Sequence, residues 1–189
     1  EAAIQRVNMV LRLVIVGGAL VSVLTAINAD KIVILLFGSE FIESAALLQI
    51  LSIFIFLTFV NSLFSFGLIA TNNDKKYFLA TSIGGSLSAI IIVLFSSYGS
   101  PNLVAISVII SEFILATSSF IWFKKVIPTQ ILRPLLITIV LSVGLFWIFD
   151  HFEVHYLLAS VISIISIPIL VWKTKVIRIG ELNWLKEKL

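Results

Sequence analysis

The chain has 189 residues, 60% of them hydrophobic and only 12% charged, with 13 Lys and Arg against 10 Asp and Glu for a net charge of +3. A soluble globular domain carries about 25% charged residues, so half that share excludes an ordinary water-soluble domain. Cysteine is absent, which excludes disulfides, a thiolate metal site and a cysteine nucleophile.

The mean hydropathy of +1.17 is not spread evenly. Apolar residues fall in long blocks, separated by short clusters that hold most of the charge. A block of about 18 or more residues with few charges reads as a membrane span, and six are predicted here. Runs this long lack the alternation of a barrel strand, so the spans are helices. The expected fold is an all-α, polytopic transmembrane helical bundle.

The chain opens "EAAIQRVN" without an initiator Met and reads as a fragment or processed product. The first span covers residues 9–29. No n-region or small-residue cleavage site frames it, so it is not read as a signal peptide. Arg12 near its edge is explained by snorkelling to the interface. A second role for Arg12, contact with an anionic headgroup, is a candidate. Gly18, Ser22 and Thr25 form a weak small-residue stripe.

After the connection "DKIVILLFGSEFIES", the second span runs over 45–70. Thr58, Asn61 and Ser65 recur on it at helical spacing. The third span, 77–98, follows "TNNDKK" and carries Thr81, Gly84, Gly85 and Ser88 in the same pattern. Small residues at these intervals let membrane helices approach closely, and packing alone accounts for most of the Gly/Ser stripes. Asn61 is different, because its own helix cannot fully satisfy an amide. Asn61, Ser65, Thr81, Ser88 and Ser111 are the candidates for lining a cavity.

The fourth span, 103–123, contains "IISEFIL", with Glu112 in the middle of the hydrocarbon run. An acid at mid-helix costs about 3 kcal/mol on insertion scales. The flanking apolar residues gain about 0.3 to 0.6 kcal/mol each, so the helix still inserts. No Lys or Arg stands mid-span elsewhere in the chain. Glu112 therefore faces water, holds a proton, or has a partner outside this chain. It is the candidate proton or cation-coupling residue. The plainer alternative is a protonated carboxyl bonded to a neighbouring helix.

The fifth and sixth spans, 132–149 and 156–172, are separated by "DHFEVH". His151 and His155 stand four apart there, but nothing orients them, and no metal is expected. Ser160, Ser163, Ser166 and Pro168 mark the sixth span. The basic tail "KTKVIRIGELNWLKEKL" has Ile179, Leu182, Leu185 and Leu189 at near-helical spacing. It reads equally as a helix on the inner membrane face or as a solvated basic tail.

Placing the N-terminus inside puts twelve of the thirteen Lys and Arg on the cytoplasmic side and Lys31 alone outside. Both termini of the segment are thus expected in the cytoplasm. No phosphate loop, nucleophile elbow or metal spacing appears. No enzyme activity, cofactor or nucleic-acid partner is expected, and membrane lipid is the first partner.

The succession "IVILLFGSEFIESAALLQIL", "GLIATNNDKKYF", "IGGSLSAIIIVLFSSYG" and "AISVIISEF" resembles the C-terminal part of the polysaccharide flippases. These belong to the multidrug/oligosaccharidyl-lipid/polysaccharide exporter superfamily. Leu36, Phe37, Gly38, Phe41, Ala45, Gly67, Ala70, Lys75, Lys76, Gly99, Ala105, Ser111 and Glu112 fall on that pattern, which covers residues 9–125. Ser86 or Ser88 stands where the family often has Asn, and Pro101 and Asn102 where it often has a second Gly.

The resemblance implies the second lobe of a two-lobe transporter with a central cavity that opens alternately to each side. Residues 1–125 would supply four helices of the C-terminal lobe, 126–172 two additional terminal helices, and 173–189 a basic cytoplasmic amphipathic tail. An N-terminal lobe of the same protein would complete the pathway. The cargo implied is an undecaprenyl-diphosphate-linked oligosaccharide repeat unit, exported across the bacterial inner membrane for surface polysaccharide such as O-antigen or capsule. A cation-coupled multidrug exporter of the same superfamily is the alternative. A membrane-embedded enzyme of polymer synthesis would need catalytic residues in a loop, and the short connections offer none.

Overall fold

The computed structural model describes residues 2–97, 99–127, 132–151 and 155–173. The tail beyond Lys173 and residues 152–154 of the last connection lie outside the described residues. The described chain is helical, with no strand among the described residues.

Among the described residues seven α-helices follow one another: α1 (Ala2–Ile27), α2 (Ala29–Phe37), α3 (Ala45–Ala70), α4 (Asp74–Ser96), α5 (Pro101–Lys124), α6 (Leu132–His151) and α7 (Tyr156–Lys173). Their edges follow local chemistry. Asn72 takes a positive φ of 55° after α3, a conformation Asn tolerates at a helix C-terminus. The N–H of Asn73 then reaches back to the carbonyl of Leu68 at 2.9 Å. Pro101 opens α5, where its fixed φ suits the first helical position.

The stretch between the first two spans is more ordered than a connection. Asn28 carries the backbone ladder from α1 into α2, with its N–H on Leu24 and its carbonyl accepting from Ile32. The reason is local: "KIVILLF" holds no Pro or Gly, and Asp30 favours the first turn of α2 through the helix dipole. Gly38, at φ 96° and ψ 168°, ends α2 in a conformation open essentially to glycine alone. A 3-10 helix, Ser39–Ser44, then leads into α3.

α5 packs against both α3 and α4, and α1 packs against α3, α6 and α7. The core between α1, α3 and the end of α5 is apolar, built from Leu11, Ile15, Phe56, Val60, Phe64, Leu68 and Phe123. Polar ties join the helices as well. Ser22 Oγ donates to the carbonyl of Ser52 at 2.6 Å, fastening α1 to α3. Asn28 Nδ2 donates to Ser160 Oγ at 2.9 Å, fastening the α1–α2 junction to α7.

The outward faces are hydrocarbon. Phe66 is 69% exposed, Val93 68% and Val140 68%. A soluble monomer rarely exposes apolar patches beyond a few hundred Å². Among the described residues four stretches are long and apolar enough to cross a membrane: Val7–Ile27, Ser39–Ala70, Asp74–Ser96 and Pro101–Lys124. The stretches Arg133–Phe149 and Tyr156–Ile169 are apolar but shorter. The four long helices are those of a multi-pass membrane protein.

Candidate functional site

α3 and α5 meet along faces that are otherwise apolar, and the polar atoms at their contact converge on one amide. Asn61 Nδ2 donates to Glu112 Oε1 at 3.0 Å. Asn61 Oδ1 accepts from Ser119 Oγ at 3.0 Å and, more weakly, from Ser65 Oγ at 3.4 Å. Ser119 is fully buried, while Asn61, Ser65 and Glu112 are half-buried. Glu112 thus has a partner inside the chain, on a helix 51 residues earlier.

The spacing explains the convergence. Asn61 and Ser65 are one turn apart on α3, and Glu112 and Ser119 are two turns apart on α5. Each pair therefore shares a face. Ser119 was readable at that interval from Glu112, yet nothing distinguished it from the other span serines.

The remaining candidates lie elsewhere. Thr81 donates to the carbonyls of Tyr77 and Phe78 on its own helix, at 2.9 and 3.1 Å. Ser88 and Ser111 form a reciprocal clamp between α4 and α5. Ser88 Oγ donates to the Ser111 carbonyl at 2.9 Å, and Ser111 Oγ to the Ser88 carbonyl at 3.2 Å. Ser118 Oγ adds a bond to the Ala80 carbonyl at 3.0 Å. Arg12 is half-buried on α1. The structure brings Asn61, Ser65 and Glu112 together and leaves Thr81, the Ser88–Ser111 pair and Arg12 outside that cluster.

Two apolar grooves flank the same helices. One, of about 560 Å³, runs between α1 and α3 along Val10, Val14, Phe59, Leu63 and Phe66. Thr58 lines it, and its buried Oγ1 has no hydrogen-bond partner. The other, of about 420 Å³, lies among α1, α3, α5 and α6, with Phe56, Ile109, Phe113 and Val143 in its wall. The polar stripe Thr58, Asn61, Ser65 is thereby split: Thr58 lines the groove, Asn61 bonds Glu112, and Ser65 bonds Asn61.

Chemically, the cluster is a single carboxyl oriented by an amide whose far end is fixed by two hydroxyls. It holds no nucleophile paired with a base. Comparison with protein-family models, with curated proteins and with solved structures gives no match.

Proposed function

We propose that this chain is a lobe of a membrane transporter that exports lipid-linked oligosaccharide repeat units by alternating access, with Glu112 as its coupling acid. The observation that carries the reading is the Asn61–Glu112 pair. A carboxyl among hydrocarbon helices is costly, and intramembrane ionisable residues mark ion and substrate pathways by default. The order of sequence motifs over residues 9–125 supports the polysaccharide flippases as the class. On this reading six helices span the bacterial inner membrane, both ends of the segment face the cytoplasm, and a second lobe completes the cavity. The asymmetry of Lys and Arg supports that orientation.

One observation favours a second reading, a cation-coupled drug exporter. A diphosphate calls for cationic groups in the cavity, and α3 carries none, whereas a lone acid suits a cationic cargo.

The test replaces Glu112 with Gln in the full-length protein, in cells whose surface polymer depends on it. Loss of surface polymer at unchanged membrane abundance is expected. Normal polymer at normal abundance would reduce Glu112 to a buried hydrogen-bonding group and sink the coupling role.

A further inference from the structure

Resting on Glu112 as the coupling acid, we infer that Asn61 makes this a proton site and bars it to metal cations. An ionised Glu112 can only accept, which turns the amide N–H towards it. Ser119 and Ser65 both donate to Oδ1, and the N–H is the end turned to Glu112 Oε1. A metal cation in a water-poor site needs a shell of oxygens, roughly six to eight for a hard cation such as calcium. An N–H aimed at the carboxylate occupies that shell with a positive dipole. Among the described residues, no group of three or more His, Cys, Asp or Glu gathers where it could hold a metal.

A proton meets no such obstacle. The ionised carboxylate accepts from Nδ2. When a proton from the water phase bonds to a carboxylate oxygen, the new O–H needs an acceptor instead. Rotation of the amide about its last side-chain bond brings Oδ1 to that O–H. The hydroxyls of Ser65 and Ser119, donors in the first arrangement, then accept from Nδ2, because a hydroxyl serves both roles. The serine O–H groups then turn to carbonyls of their own helices, as Ser107 does, so both charge states can be bonded without moving either backbone. A cation offered the same rotation would find a neutral Oδ1 and one carboxylate, a single negative charge to offset its dehydration, whereas a carboxylate at position 61 would add a second.

The surroundings leave this choice to the amide. α3 carries no ionisable side chain. On α4 the ionisable groups are Asp74, Lys75, Lys76 and Tyr77, all in the first turn. Ser88, level with Ser111 through the clamp, is about three turns away from them. On α5 itself Lys124 stands about 18 Å along the helix from Glu112. Arg12 stands on α1, which packs against α3.

Infrared difference spectra of the full-length protein in lipid nanodiscs, acidic against alkaline buffer, read the carboxyl directly. The carbonyl stretch of a protonated acid is expected in the wild type, lost in Glu112→Gln, and equal in sodium chloride and choline chloride. A Glu112 band that sodium abolishes at fixed pH would overturn proton selection, as would a band that never changes between the two buffers. Asn61→Asp, compared with the Asn61→Asp, Glu112→Gln double variant, replaces the N–H by oxygen. Its Glu112 band is expected to be lost in sodium and restored in choline; insensitivity to sodium would remove Asn61 as the selecting residue. Because no cargo enters this measurement, its failure is distinct from failure of the transport reading, which surface polymer reports.

Discussion

Asn61 has two hydrogen-bonding ends, and each meets a different kind of neighbour: hydroxyls at the oxygen, a carboxyl at the nitrogen. Ser119→Ala removes the shorter bond to Oδ1 and leaves Ser65 at 3.4 Å. Interhelical bonds in membranes are worth about 0.6 kcal/mol on average, so a loss of that order is expected. Asn61→Leu deletes every bond in the cluster and is expected to cost about 1–2 kcal/mol. Reversible unfolding in mixed micelles would compare them, and equal losses would mean that the amide is not the hub. The two ends of this pair were visible in the sequence, since an amide and an acid in hydrocarbon are polar groups their own helices cannot satisfy. Their meeting was not visible. It depends on how α3 is rotated against α5, and period alone leaves that rotation open. Ser119 escaped notice because a serine can bond its own helix, as Ser107 does through the Val104 carbonyl.

At the scale of elements, α4 and α5 form the most tightly tied pair. Their serine bonds all end on backbone carbonyls, so these ties are indifferent to charge. Gly84 permits the approach: a Cβ there would lie 2.7 Å from Leu115 Cδ1 and 3.1 Å from Leu115 Cα. At Gly85 a Cβ would meet nothing within 4 Å. Gly84→Val is therefore expected to destabilise the pair by about 1–3 kcal/mol through overpacking, and Gly85→Val to leave it near wild type. Thermal unfolding of the two variants checks this, and similar losses would show that the packing differs from that described. By contrast, α5 meets α3 through a bond that ends on an ionisable group. Charge on Glu112 thus acts on one side of α5 while the other side stays clamped. Helix positions were legible here because hydrocarbon runs and turn residues coincide, as at "TNNDKK" and before Pro101. The stretch 30–44 was not, because its acids and Gly38 resemble a loop while its backbone continues as helix.

Taken together, the described helices are largely apolar on their outward faces, with Asn61 and Glu112 half-buried between α3 and α5. Leu35, 84% exposed, and the Phe37–Phe41 ring pair at 6.2 Å extend that apolar surface past the end of α1. The orientation assigned by the Lys and Arg distribution can be tested without background from this chain, which has no cysteine. Single cysteines at Glu40 and at Lys75 or Lys125 would be exposed to a membrane-impermeant maleimide on intact spheroplasts. Labelling is expected at position 40 only, and at 75 and 125 after lysis. Labelling of position 75 or 125 before lysis would invert the topology.

The Asn61–Glu112 bond also has a consequence for biogenesis. The ribosome makes α3 before α5, so the amide is already in the bilayer when the acid emerges. Glu112 is then expected to enter beside a waiting donor rather than alone among lipid tails. Insertion of α5 by itself, scored by glycosylation of flanking tags in a translocon assay, is expected to be less complete than insertion of α5 following α3 and α4. Asn61→Leu should narrow that difference; if it does not, other contacts of the preceding helices receive the acid.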